Sequence, residues 1–448
     1  MTNLSTEQQP SAKKLHRAWS MYDWANSAYN LVITSTIFPA YYIAITTSGG
    51  KEQDYVSFFG WRVINSSLLN YALALAYLII AFLSPVLSSI ADYKGNKKKF
   101  MQLFCYLGAA ACCGLFFFEK GNIELGIILS ILAAVGYCGS LVFYNAYLPE
   151  IAAPEDQDRV SAQGFSYGYI GSVLLQIICL AFVFTLSDGG LSARISFLLV
   201  GLWWIGFSQI TFRTLPVRQG GVEKRPDHSL LSNGFHELRK VWEQIKTMPL
   251  LKTFLAAFFF YSMGVQTVML AAAEFGKKEI YKIENGVKVP MATSDLIVTI
   301  LLIQLVAIGG AMLMARLSKA IGNIKVLMLT VLLWIAICVI AYYTRTAMQF
   351  YLLAVLVGLV MGGIQSISRS TYSKLMPETK DTASFFSFYD VTEKIAIVIG
   401  MFSFGFIEHM TGNMRNSIFA LTIFFLLGFI FLLRAGIKGK QSAAFKRI

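Results

Sequence analysis

Long apolar runs decide what this chain can fold into. Segment 68–87 reads LLNYALALAYLIIAFLSPVL, and segment 418–433 reads IFALTIFFLLGFIFLL. An apolar run of about 18 or more residues calls for a bilayer, whose core is spanned by about 20 helical residues. Twelve such segments follow one another, near 18–46, 62–90, 99–118, 122–147, 161–186, 193–212, 250–273, 294–317, 324–344, 348–376, 383–409 and 415–436. Composition agrees: 56% of the 448 residues are hydrophobic and only 14% charged, against roughly a quarter charged in soluble domains. The expectation is an all-α polytopic membrane protein with about 12 transmembrane helices. The N-terminus is polar and its first apolar segment is too long for a signal core, so no cleavable leader is expected.

The formal net charge of +13 raises the question of nucleic acid. Its distribution answers it. With a cytoplasmic N-terminus, and with residues near helix ends counted with the connection they adjoin, the two tails and the even-numbered connections hold 26 Lys and Arg, the opposite side 10, and the helix interiors 2. That is the positive-inside asymmetry of a membrane protein. No nucleic-acid partner is expected. Runs such as KGNKKK (94–99) read as topology signals in contact with anionic lipid. Both termini are expected in the cytoplasm. The cysteines 105, 112, 113, 138, 179 and 338 all fall in apolar segments, without Cys-x-x-Cys spacing or neighbouring histidines. They read as small core residues, not as a disulfide frame or a metal site.

The longest polar connection, 214–249, divides the chain evenly. Its first part is rich in Gly, Pro and charge. Its second part places Phe235, Leu238, Trp242, Ile245 and Pro249 at helical spacing between basic residues, a short amphipathic helix at the cytoplasmic surface. A simple tether is the plainer reading. The two sides of this linker repeat. Gly95-Asn96 and Gly322-Asn323 match at an offset of 227, and YNAYLPE (144–150) matches YSKLMPE (372–378) at 228. Two signals at nearly one offset indicate duplication. Residues 1–213 are the first six-helix half, 214–249 the cytoplasmic linker, and 250–448 the second half with its tail. Binding is then expected near the midplane between the halves.

This parallel-repeat plan is that of the major facilitator superfamily. SIADYKGNKKK (89–99) resembles its loop 2–3 signature, Gly-x-Leu-Ala-Asp-Arg-x-Gly-Arg-Arg, through Asp92, Gly95, Lys97 and Lys98. Ser88 stands at the first glycine and Tyr93 at the arginine. YDWANSAYN (22–30), YNAYLPEIA (144–152) with SAQGFSYGYIG (161–171), GGIQSISRSTYSKLMP (362–377) and SFFSFYDVTEKIAIVIG (384–400) resemble the autophagy-related vacuole effluxer family and its bacterial relatives. The resemblance covers nearly the whole chain. It departs at Met263, where the seventh helix of that pattern often carries an acid. It implies a secondary transporter, with amino-acid efflux the task of the fungal relatives. A bacterial cytoplasmic membrane and a monomer are expected, with a small-molecule substrate, possible proton coupling and no cofactor. For the gate it implies that Asp92 and its basic neighbours contact the other half near the start of helix eleven, where a helix dipole favours anions. The reading from topology alone stays open beside it.

Three groups carry candidate chemistry. In helix one, Asp23, Asn26, Ser27, Asn30 and Thr34 form one polar stripe, which must face protein or a water-filled path. Asp23 is a proton site, an anchor for a cationic group, or a hydrogen-bonded carboxylate near the helix start. In helix ten, Gln365 and Arg369 share a face, and a guanidinium at that depth must snorkel or pair. Helix eleven supplies Asp390, Glu393 and Lys394. A network of Arg369 with Asp390 or Glu393 is the expected neutral solution, serving a substrate carboxylate, proton coupling or a static junction. Asn145, Gln163, Gln176, Gln266, Thr267 and Gln304 are weaker lining candidates, with Tyr137, Tyr144, Tyr167 and Tyr261. Such Gln and Asn residues more often tie helices together.

Catalysis finds no support. GFSYG (164–168) matches Gly-x-Ser-x-Gly only formally, inside a helix and without a strand–turn–helix setting. None of the four histidines, at 16, 228, 236 and 409, is placed deep in a membrane segment, and no Walker-type loop is present. The expectation is a secondary active transporter of a small polar solute, with amino acids or related metabolites as candidates. The alternative is a sensor or scaffold with a transporter-like fold that binds without moving its ligand.

Overall fold

The computed structural model describes residues 11–47, 54–217, 230–284 and 286–439. The first part of the linker, 218–229, and the C-terminal residues 440–448 lie outside them. Helix α1 (Ala12–Tyr29) continues through a π-helical stretch (Asn30–Ser35) into α2 (Ile37–Thr46). Then come α3 (Asn65–Lys94), α4 (Lys97–Gly114), α5 (Ile123–Asn145), the short α6 (Leu148–Ile151), α7 (Pro154–Thr185) and α8 (Gly189–Thr214). After α9 (Leu230–Lys246) follow α10 (Pro249–Glu279), α11 (Thr293–Ile321), α12 (Asn323–Tyr343), α13 (Ala347–Leu375), α14 (Thr382–Thr411) and α15 (Met414–Gly439).

Eleven spans among the described residues are long and apolar enough to cross a membrane. The twelfth long helix of the bundle, α14, misses that standard because Asp390, Glu393 and Lys394 interrupt its apolar run. Two antiparallel hairpins join helices at the end of the bundle away from α9. Strand β1 (Tyr55–Phe58) pairs with β2 (Trp61–Ile64), and β3 (Tyr281–Glu284) with β4 (Val287–Pro290). The sequence reading contained neither hairpin, since four-residue strands are too short for a periodic signal. The two ends of the bundle are called here the α9 face and the hairpin face.

Helix packing repeats between the halves. In the first half α1 packs on α7 and α8, α3 on α5, and α4 on α5 and α8. In the second half α10 packs on α14 and α15, α11 on α13, and α12 on α13 and α15. Each pairing has its counterpart six long bundle helices later, the geometry of two duplicated bundles. The repeated loop glycines, Gly95 (φ 67°) and Gly322 (φ 88°), both take positive φ, where a Cβ is disfavoured. The halves meet through α3 with α14 and through α7 with α11 and α13.

The amphipathic segment of the linker forms α9, and it does more than tether. It packs on α3 of the first half and on α14 and α10 of the second. Val241 and Ile245 are buried, Trp242 stacks on Phe388 at 5.9 Å, and Lys240 Nζ lies 3.6 Å from Asp381 Oδ2. Leu238 is half-buried, while Pro249 opens α10 and is exposed. The side chain of Phe235 lies outside the described residues.

Candidate functional site

Helix α7 can approach α1 closely because glycines face it. A methyl at Gly164 would stand 2.5 Å from Asp23 Oδ2 and 3.0 Å from Arg369 Nη2. No larger residue fits without displacing one of those charges. Into this space α13 sends Arg369 from the other half. Its Nη1 and Nη2 each donate to Asp23 Oδ2 at 3.3 Å. Nη1 also donates to Asn145 Oδ1 at 3.2 Å, while Nε and Nη2 donate to Ser161 Oγ and its carbonyl at 2.9 Å. Tyr144 donates its hydroxyl to Asp23 Oδ2 at 2.7 Å. The guanidinium carbon lies 4.3 Å from the Phe165 ring centre and 4.8 Å from that of Trp19. Asp23 is 5% and Arg369 4% exposed, so an ion pair desolvated on both sides joins the halves.

This pairing corrects one expectation. Arg369 does not bond Asp390 or Glu393. The face of α13 that carries it turns towards α7 and α1, whereas the α14 acids turn towards α3 and α10. There Lys394 Nζ lies 3.3 Å from Asp390 Oδ1 and 3.5 Å from Glu393 Oε2, and 5.4 Å from the Tyr77 ring centre. Gln266 Nε2 donates to Glu393 Oε1 at 2.8 Å. Asp390 Oδ2 is buried and makes no hydrogen bond. Two carboxylates face one ammonium, a formal net charge of −1. The helix-one stripe is also reshaped: Asn30 begins the π-helical stretch, which changes the aim of the residues after it. Asn26 is buried with Nδ2 unpaired, while Ser27, Asn30 and Thr34 are half-buried.

Gln365 and several of the weaker candidates make local contacts or none. Gln365 Oε1 accepts from Tyr169 at 2.7 Å, another contact between halves. Tyr261 and Ser368 share a 2.6 Å hydroxyl pair. Thr267 Oγ1 and Gln304 Oε1 are buried without partners. Gln176 Oε1 lies 2.9 Å from Thr36 Oγ1, a tie within the first half. Gln163, Tyr137 and Tyr167 are half-buried.

At the α9 face, Asp92 lies where the loop signature implies. Its Oδ1 accepts from the Ala383 amide at 3.1 Å, and its Oδ2 from the Ser384 amide at 2.7 Å and hydroxyl at 2.9 Å. A carboxylate thus caps the start of α14, satisfying amides that have no intrahelical partner. Lys97 lies 3.4 Å from Asp92 Oδ1 and also bonds Glu150 and Thr382. Lys98 instead donates to the Leu215 carbonyl at 2.9 Å, at the start of the linker. Gly95 supplies the turn between α3 and α4.

A second latch was missed from sequence. Asp158, near the start of α7, accepts from Lys374 Nζ at 2.6 Å, Asn323 Nδ2 at 2.7 Å and Ser318 Oγ at 3.0 Å. Asn323 belongs to the loop that repeats Gly95-Asn96, and only that duplication signals the contact. All these links between halves lie between the α9 face and the helix midpoints, so the α9 face is closed.

A chain of two six-helix bundles, latched at one face and carrying buried paired charges between that face and the helix midpoints, has the architecture of a major facilitator. Residues 11–444 match the family described as vacuole effluxer Atg22-like, and the chain belongs to that family. It is 30% identical over 429 residues to an MFS-type transporter of Bacillus subtilis, YxiO, covering 94% of each chain. Among solved structures it resembles FucP, a major facilitator in the outward conformation, with a TM-score of 0.67 at 13% identity over 95% of this chain and 98% of the other. It also resembles the proton:xylose symporter XylE, with a TM-score of 0.71 at 11% identity over 94% and 95%. At such identities the likeness is one of fold.

Proposed function

We propose that this protein is a secondary active transporter that moves a small polar solute by alternating access, coupled to protons. The observation that carries this is the Asp23–Arg369 pair. Burying an ion pair is weak as a source of stability, because desolvation offsets the Coulomb gain. This pair, however, spans the halves. It holds in the closed arrangement of the α9 face and is exchanged for water when that face opens. Charges at this depth mark transport paths more often than packing.

The two clusters divide the chemistry. Asp23 and Arg369 balance each other. The α14 cluster is one negative charge in excess, so it takes up a proton or an ammonium group. A solute with a carboxylate and an ammonium would meet Arg369 on one side and Asp390 with Glu393 on the other, flanked by Asn26, Asn30, Asn145, Gln266 and Gln365. Amino acids and related metabolites fit this pattern, and the effluxer-like family points the same way. Asp92 and Lys97 form the gate, Gly95 shapes the loop that carries them, and Lys98 anchors that loop to Leu215. The Lys and Arg asymmetry supports a cytoplasmic α9 face and cytoplasmic termini, in a bacterial cytoplasmic membrane; on this reading residues 1–213 and 250–448 are the moving halves and 214–249 lies between them.

The test is a thermal-shift screen of the purified protein against amino acids, dipeptides, sugars and nucleosides at two pH values. A stabilising amino acid whose affinity changes with pH supports the proposal. Stabilisation by sugars alone would remove the amino-acid assignment, and an affinity independent of pH would remove the coupling.

A further inference from the structure

Away from the path between the halves, the end of α9, the start of α10 and the last turns of α15 enclose a groove of about 340 Å³. Four cations line it: Lys246, Lys252, Arg434 and Lys438. The ion pair made there is between Lys246 and Glu243, at 2.9 Å. Lys438 donates to Thr253 Oγ1 at 3.2 Å. No charged partner accompanies Lys252 or Arg434 among the described residues, and both are exposed. Pro249 opens α10 beside them, so the positive end of a 31-residue helix points the same way.

The groove is not only basic. Its inner wall is the ring of Phe431 with Ala256. One turn deeper Phe260 stacks on Phe431, with centroids 5.5 Å apart and planes at 8°. The lining therefore passes from cationic to aromatic in the direction of the bilayer core. A free anion would use only the first part. An amphiphile would use both.

We propose that this groove binds the phosphate headgroup of an anionic phospholipid, with an acyl chain running along Phe431 and Phe260. Basic pockets beside membrane helices recognise such headgroups through their charge, and each cation contributes about fivefold in affinity near an anionic surface. The phosphate oxygens accept from Lys252 and Arg434, and Lys246 and Lys438 close the sides. The site stands apart from Asp23, Arg369 and the α14 cluster, and it does not depend on the transport proposal.

The experiment titrates the purified full chain, in zwitterionic detergent, with dimyristoyl phosphatidylglycerol, dimyristoyl phosphatidylcholine or inorganic phosphate. Retained lipid is read by native mass spectrometry and stability by the melting temperature. Phosphatidylglycerol is expected to stay bound and to raise the melting temperature, and the other two to do neither. Lys252→Gln combined with Arg434→Gln is expected to weaken phosphatidylglycerol binding about 25-fold, two cations at about fivefold each. Glu243→Gln, which removes the competing carboxylate, is expected to strengthen it. Should the double variant fold poorly, Lys252→Gln alone reads the same site at about fivefold. Equal binding of the two lipids, or unchanged binding by the variants, overturns the site. An equal shift with inorganic phosphate overturns the lipid as its occupant.

Discussion

Neutralising Asp23 should open the α9 face. In the closed arrangement Asp23→Asn leaves Arg369 buried without a compensating charge, with only neutral acceptors, Ser161, Asn145 and the new amide oxygen, around it. Removing one partner of a buried pair costs about 3–5 kcal/mol. The surviving bonds to Ser161 and the rings of Trp19 and Phe165 place this case at about 3 kcal/mol. In the open arrangement water solvates Arg369 whether or not Asp23 is charged. Most of the cost therefore falls on the closed state and shifts the equilibrium towards opening by on the order of 100-fold. The assay follows Ser387, which is buried 3.1 Å from Ser84 across the halves. Ser387→Cys, with the half-buried Cys113 replaced by serine, is labelled with a membrane-impermeant maleimide from the α9 side. Asp23→Asn is expected to accelerate labelling by up to that factor. Asp23→Asn with Arg369→Gln should return most of the way, since no unpaired charge is left. An unchanged rate in the single variant, with the protein folded, would refute the reasoning.

Gly164→Ala should act in the same direction more weakly. Its methyl meets Asp23 at 2.5 Å, an overpacking of about 1–3 kcal/mol, read as a lower melting temperature and faster Ser387→Cys labelling. Asp92→Ala removes the cap on α14 and its bond to the Ser384 hydroxyl, a loss of about 1–2 kcal/mol. It should raise labelling without abolishing solute binding; normal labelling would confine Asp92 to topology. Lys374→Met strands Asp158 at the second latch and should destabilise the closed face by about 3 kcal/mol; Asp158→Asn in the same chain should restore part of that. Asp390→Asn with Glu393→Gln should remove the pH dependence of solute affinity, measured by thermal shift at two pH values.

Helix positions were legible because bilayer-spanning runs are a property of composition. The segment near 122–147 became Ile123–Asn145, and that near 324–344 became Asn323–Tyr343. The reading fell short where helices leave the hydrocarbon: α7 starts at Pro154, a full polar turn and more before the apolar run near 161. The contact that the superfamily resemblance implies for Asp92, at the start of α14, is present because the loop signature carries it as a local motif. The partner of Arg369 was not legible, because 346 residues separate it from Asp23. Nothing in either segment says which faces of α13 and α1 meet. Gly164 and Gly168, four apart on α7, were the available sign of close approach between helices. The π-helical turn after Tyr29 left no compositional trace.

The central claim, transport coupled to protons through the α14 cluster, is tested most directly in proteoliposomes carrying a pH-sensitive dye. A gradient of a solute that stabilises the purified protein is imposed, and solute and proton movements are recorded together. The account predicts solute flux accompanied by a pH change in the lumen, with the pH change lost in Asp390→Asn with Glu393→Gln. Binding without flux in either direction, and without proton movement, would contradict it and leave a ligand sensor with a transporter fold.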